Sequence, residues 1–172
     1  TRHAGTHLLV LGAAQRAGGG CACPESVLLK ALVRHLVLRR EDVVILDMEA
    51  GIEHLGRGTA MGVDLILVVV EPGRRSVETA HRIRGMAASL GIRRFAVVLN
   101  KSTAIAEDTR WIGEEFGADQ LLGAIPFDPR IGQADRHGQS LVDAGQDDLL
   151  VPFREMQRML TQRFEDGGGV LP

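Results

Sequence analysis

Residues 65–70 read Leu-Ile-Leu-Val-Val-Val and residues 95–100 read Phe-Ala-Val-Val-Leu-Asn, with the amphipathic stretch Ser76–Leu90 between them. Neither run alternates apolar with polar residues, so each needs cover on both faces, as strands of a parallel sheet do. A buried strand, a helix and a second buried strand form a right-handed crossover unit. Working outward, His7–Leu11 (HLLVL) and Val43–Asp47 (VVILD) read as further strands, and Leu121–Ile125 (LLGAI) as a weaker one. Helices are expected between them. Pro24-Glu25-Ser26 opens one, with Val27, Leu28, Ala31, Leu32 and Leu36 as its apolar stripe down to Leu38. Ser76 is expected to N-cap the helix to Leu90, and Gly91 to end it in a left-handed turn. Glu107–Phe116, closed by Gly117, and Val151–Phe164, with Phe153, Met156, Leu160 and Phe164 at helical spacing, complete the set. The fold class is α/β, an open, mostly parallel sheet flanked by helices.

The 172 residues are one domain's worth of chain, enough to remove roughly 70% of the unfolded surface from water. The expectation is a single domain over 1–172, with Gly167-Gly168-Gly169 marking a flexible tail over 165–172. Twenty Lys and Arg against 22 Asp and Glu give a formal charge of -2, which argues against nucleic acid or an anionic membrane as partner. The longest apolar runs are far shorter than the ~20 residues of a membrane span. No charged-then-apolar leader is present, so the expected location is the cytoplasm. The chain begins Thr1-Arg2-His3 with no initiator Met, and is expected to be the later part of a longer protein.

Three segments carry chemistry. In Gly18-Gly19-Gly20-Cys21-Ala22-Cys23-Pro24 both cysteines of the chain stand one residue apart at the mouth of a helix. They are too close for a comfortable mutual disulfide, but a Cys-x-Cys pair can aim two thiolates at one metal ion. The helix N-terminus favours the thiolate form. Two ligands do not fill a tetrahedral site, so two copies across a two-fold axis would supply four sulfurs. The other reading is a pair of buried thiols acting as small hydrophobes; the triple glycine, suited to an exposed loop, favours the metal.

Asp47, at the carboxyl tip of its strand, faces the crevice where such sheets bind ligands and could hold the water shell of Mg²⁺. Gly51 would let the backbone approach a terminal phosphate. Asp47 reads equally well as the cap of a short helix from Ile52. Asn100, ending the Phe95 strand on the same edge, has a carboxamide suited to the amino and N7 edge of adenine. Ile125-Pro126-Phe127-Asp128-Pro129 would line that rim. An Asn after a strand is also a common turn residue; the shared edge is what raises it. No G-x-x-x-x-G-K-[ST] phosphate loop and no G-x-S-x-G elbow occur. The six histidines show no metal-ligand spacing.

Together the stretches GCACPESVLLKALVRHLVL, DMEAGIEHLGRGTA, VVVEPGRRSVETAHRI and VVLNK resemble the CooC-type carbon monoxide dehydrogenase maturation ATPases, of the MinD/ParA branch of P-loop ATPases. The similarity runs from about Gly18 to Lys101 and more loosely to about Gly145. The resemblance implies a nucleotide-binding fold whose dimerisation is coupled to ATP, with Cys21 and Cys23 binding Zn²⁺ or Ni²⁺ between two subunits. It implies that Asp47 belongs to the segment sensing Mg²⁺-ATP, with Gly51, Ile52 and Glu53 matching D-x-x-A-G-I-E. It places Asn100 at the base, with Pro126 and Phe127 over the adenine. The family's phosphate loop and first strand would fall before Thr1, so this chain is expected to be a partial domain that alone binds ATP poorly and does not hydrolyse it. The implied function is ATP-dependent nickel insertion into carbon monoxide dehydrogenase by a homodimer. The alternatives are a MinD/ParA-like positioning ATPase and a non-enzymatic metal-bridged dimerisation module.

Overall fold

The computed structural model describes residues 2–3, 6–8, 43–48 and 63–166. The chain divides into two compact units, Thr1–Met61 and Gly62–Pro172.

In the first unit, β1 (Arg2–His3) and β2 (Thr6–His7) form a two-stranded antiparallel pair, Arg2 opposite His7 and His3 opposite Thr6. The start of the expected His7–Leu11 strand therefore pairs antiparallel, and its remainder beyond Leu8 lies outside the described residues. Val43–Asp47 is not a strand. Residues 43–48 take no regular structure, and Val43 and Ile45 are each 85% exposed. Its apolar run is as strand-like as any in the sequence, but a strand exists only where a neighbour takes its backbone hydrogen bonds, and none does among the described residues. The expected helix from Pro24 to Leu38 lies outside the described residues.

The second unit carries the expected parallel sheet. Strands β3 (Leu65–Val70), β4 (Arg94–Ser102) and β5 (Leu121–Pro126) lie in the order β3-β4-β5, all parallel. The β3–β4 register runs unbroken from Leu65 opposite Arg94 to Val70 opposite Leu99. Between the strands run α1 (Arg74–Ser89) and α2 (Ile105–Phe116); after β5 come α3 (Pro129–Arg136), a 3₁₀ turn (Asp147–Leu150) and α4 (Val151–Asp166).

Alternation along β4 sorts the core into two layers. Val97 and Leu99 join Val68 and Val70 of β3, Val77 and Ala80 of α1, and Ile112 and Phe116 of α2. Ala96 and Val98 face the other way, with Leu122 and Ile125 of β5 and Met156 of α4. The continuous apolar character of residues 96–99 is thus the record of cover on both faces. On the α4 side the cover stops short of β3, where Leu67 is exposed and Val69 is 57% exposed.

Helix ends follow the glycines better than the hydroxyls. Gly91 (φ 78) and Gly117 (φ 100) close α1 and α2, as read from the sequence. Ser76 is not the N-cap of α1; Gly73 is. The chain reverses directly after β3, Gly73 N–H donating to the Glu71 carbonyl at 2.7 Å, so the helix starts earlier and Ser76 falls in its first turn. The Ser76 hydroxyl instead accepts from Glu71 N–H at 3.0 Å and ties the helix to the strand end. Likewise α2 begins two residues before Glu107, at Ile105.

Strand β5 carries a close approach. A Cβ placed on Gly123 would lie 2.7 Å from Met156 Cγ and 3.2 Å from its Sδ, so this glycine lets α4 seat Met156 against the sheet. Phe153, one turn earlier on the expected stripe, is 39% exposed.

Candidate functional site

The carboxyl ends of β3, β4 and β5 form one rim of the parallel sheet, the edge at which such sheets take ligands. Glu71 follows β3, Asn100–Ser102 end β4, and Pro126 ends β5 with Phe127 directly after it. Pairing between β4 and β5 slips here: Leu99 lies opposite Ala124, yet Ser102 lies opposite Pro126, leaving one extra residue on β4. The bulge is accommodated at Lys101, whose φ of 56 makes it the positive-φ residue other than glycine among those described.

Each side chain at this rim is fixed in a different way. Asn100 is half-buried; its Oδ1 accepts from Lys101 N–H at 3.0 Å. Its amide nitrogen has no hydrogen bond within the described residues, leaving two donors available to an incoming base. Lys101 Nζ meets Glu71 Oε1 at 2.6 Å and joins the ends of β3 and β4. Both partners are exposed, so the bond orients more than it stabilises. Ser102 is a buried polar residue, and its hydroxyl donates to Asp108 Oδ2 at 2.6 Å, anchoring the strand end to α2. Phe127 N–H donates to the Ser102 carbonyl at 2.8 Å, which holds the backbone beside β4 while the ring stands 57% exposed. Pro126 is exposed as well.

The loop behind Phe127 is held by an arginine that the sequence reading passed over. Asp128 N-caps α3, its Oδ1 accepting from Arg130 N–H at 2.8 Å, with Pro129 in the first turn. The Arg130 guanidinium donates to both Asp128 oxygens and, at 2.7 Å, to Asp148 Oδ2 of the 3₁₀ turn; Gln146 Oε1 accepts at 3.0 Å. Hydrogen bonds from Arg130 hold the Asp128 and Asp148 carboxyls below the ordinary carboxylate range. The same bonds, Asp128 first and Asp148 second, raise the guanidinium pKa further. The Asp-Pro pair at a helix start is legible as a cap. The partner 18 residues away is not.

Asn100, Pro126 and Phe127 therefore fall on one sheet edge. Asp47 is exposed within the irregular segment 43–48 of the first unit. Gly51, Cys21 and Cys23, together with Ile52 and Glu53, lie outside the described residues. Among the described residues no group of three or more His, Cys, Asp or Glu is placed to hold a metal ion, and no helix is long and apolar enough to cross a membrane.

No protein-family model matches the chain. It is 47% identical over 141 residues to the carbon monoxide dehydrogenase accessory protein CooC of Rhodospirillum rubrum, covering 82% of this chain and 53% of that protein. It is 45% identical over 138 residues to an uncharacterized ATP-binding protein of Methanocaldococcus jannaschii, covering 78% of this chain and 52% of the relative. The chain thus spans about half the length of these curated relatives. Among solved structures it is similar to the MinD cell division protein of Aquifex aeolicus, with a TM-score of 0.53 and 20% identity over 66% of this chain and 48% of that one. At that identity the likeness speaks for the fold.

Proposed function

Because the chain belongs to the CooC-type family, within the MinD/ParA-like P-loop class, we propose that it is part of an ATP-dependent metallochaperone that delivers nickel to carbon monoxide dehydrogenase. The observation that carries the nucleotide half of this reading is the rim itself: a half-buried carboxamide with unused donors, beside an exposed aromatic ring, at the carboxyl edge of a parallel sheet. These groups fit a purine. Asn100 would read its polar edge, and Phe127, its backbone held by Ser102, would cover its face with Pro126 alongside. Asp47 carries an exposed carboxylate that would hold the water shell of Mg²⁺, which when bound offsets the charge of the phosphates. The sequence has no phosphate loop, so this reading needs phosphate contacts from outside these 172 residues, and its tests use the full gene product.

For the cargo, Cys21 and Cys23 of two copies would present four thiolates to one Ni²⁺ or Zn²⁺. Nucleotide binding that favours the closed pair over the open one would load the ion, and hydrolysis would release it to the client enzyme. The positioning-ATPase alternative would call for a free amphipathic helix to meet a membrane. The observed α4 instead turns Met156, 7% exposed, into the sheet.

Native mass spectrometry of the full gene product with ATP and Ni²⁺ or Zn²⁺, against a Cys21→Ser/Cys23→Ser variant, tests the cargo half. The expected result is one metal per two chains, lost with the dimer in the variant; a metal-free monomer in both overturns it. Asn100→Ala tests the base half. Loss of a two-point contact is worth about 1–3 kcal/mol, so ATP affinity is expected to fall roughly tenfold or more while GTP affinity changes little. Equal ATP affinity in the two proteins rejects Asn100 as the base reader.

A further inference from the structure

At the opposite end of the sheet, where β3 and β4 begin, lies an open crevice of about 280 Å³. Leu65, Phe95 and Leu160 give it an apolar lining, and Arg93 and Arg163, the latter in the last turn of α4, line it as well. Arg94 lines it too. The crevice includes one carboxylate, Asp119, whose Oδ2 already accepts from Gln120 Nε2 at 2.8 Å. Neither Arg93 nor Arg163 has an ion-pair partner among the described residues. Arg93 precedes the first residue of β4 and Arg163 stands in the last turn of α4, so two separate elements bring a guanidinium to one cleft. A planar guanidinium makes parallel, charge-assisted hydrogen bonds to the oxygens of an oxyanion, and two of them lining one cleft suit a phosphoryl group better than a lone carboxylate.

We propose that this crevice is a second ligand site, which takes a phosphoryl oxyanion between Arg93 and Arg163. It stands apart from the nucleotide reading. Asn100 lies six residues along β4 from Arg94, about 20 Å at 3.3 Å per residue, so a small occupant does not reach the Asn100 rim. The phosphoryl group comes either from free phosphate or from a small phosphomonoester, whose carbon chain would lie against the apolar lining of Leu65, Phe95 and Leu160.

The test titrates inorganic phosphate, and in parallel glycerol 3-phosphate, into the protein with a non-hydrolysable ATP analogue held at saturating concentration. Binding is read by phosphorus NMR and by thermal shift. The wild type is expected to bind saturably, and Arg93→Gln/Arg163→Gln to weaken both ligands at least tenfold with unchanged circular dichroism. Arg93→Gln alone provides an intermediate that perturbs the surface less. Glycerol 3-phosphate binding ten times more tightly than phosphate identifies a phosphomonoester site, and equal affinities identify a site for free phosphate; both support the proposal. Absence of saturable binding up to 10 mM (on the order of a generous cellular level, and already weaker than the millimolar affinity worth about 4 kcal/mol) overturns it. So does equal binding by wild type and double variant.

Discussion

Gly123→Ala puts a single methyl group where β5 and α4 meet. The new Cβ would lie 2.7 Å from Met156 Cγ, roughly 0.8 Å inside an ordinary carbon–carbon contact of about 3.5 Å. Met156 is buried among Ala96, Val98, Leu122 and Ile125, so it has little room to retreat. Either its side chain leaves its rotamer or α4 lifts from the sheet. Overpacking of this kind costs about 1–3 kcal/mol. Replacing glycine also restricts the unfolded chain, a gain of about 0.4–1 kcal/mol where the backbone tolerates alanine. The overpacking wins, and the net loss is about 1–2 kcal/mol, a fall in Tm of roughly 2–8 °C for a chain of this length. Urea unfolding followed by circular dichroism measures it, as a lower midpoint with an unchanged slope. The cause is isolated by repeating the substitution in Met156→Ala, which removes the opposing atoms. There Gly123→Ala should be neutral or stabilising, giving a coupling energy of about 1 kcal/mol or more. A Gly123→Ala protein as stable as wild type, or the same loss in both backgrounds, refutes the reasoning.

Ile112→Ala empties the centre of the layer between α2 and the sheet, where Ile112 is fully buried; a loss of about 2–5 kcal/mol is expected by urea titration. Lys101→Gly and Lys101→Ala both remove the contact to Glu71, but only alanine keeps a Cβ at φ 56, so the glycine variant should be the more stable by about 1 kcal/mol in the same assay. Arg130→Gln should lower the midpoint at neutral pH. Because Arg130 depresses the Asp128 and Asp148 pKa values, its contribution is fully present above the ordinary carboxylate range and is lost as pH falls through the lowered values. Wild type and variant should therefore begin to converge in acid unfolding only below about pH 4, and meet once both lowered carboxyls are protonated; a gap that stays constant would mean the hub acts without those carboxylates.

The sheet was the legible part of the fold. Leu65–Val70 begins and ends where its apolar run does, while β4 continues two polar residues past Asn100, to Ser102, so that its apolar run marks its buried part rather than its end. Gly91 and Gly117 were readable because a left-handed turn asks for glycine locally. Pattern failed where the deciding partner is remote. The run Val43–Asp47 advertises burial, but nothing in five residues says which strand would receive its hydrogen bonds. Ser76 has the chemistry of a cap, and the turn at Glu71–Gly73, set by the end of β3, assigned its hydroxyl to another amide. Of the site, the residue types at the rim were readable and their supports were not. The bulge at Lys101 follows from the pairing of β4 with β5, and the Arg130 hub from a contact across a loop. Neither leaves a trace in local spacing.

Strand β4 is bonded to neighbours on both sides and covered on both faces, with Ala96, Val97 and Leu99 fully buried. Its middle amides should be the last in the second unit to trade hydrogen for deuterium, since only opening of the whole sheet frees them. Its two tips differ: one ends in a bulge, the other in exposed arginines. The strand behaves as a stiff ruler, its register unbroken along β3, with its chemistry confined to its ends.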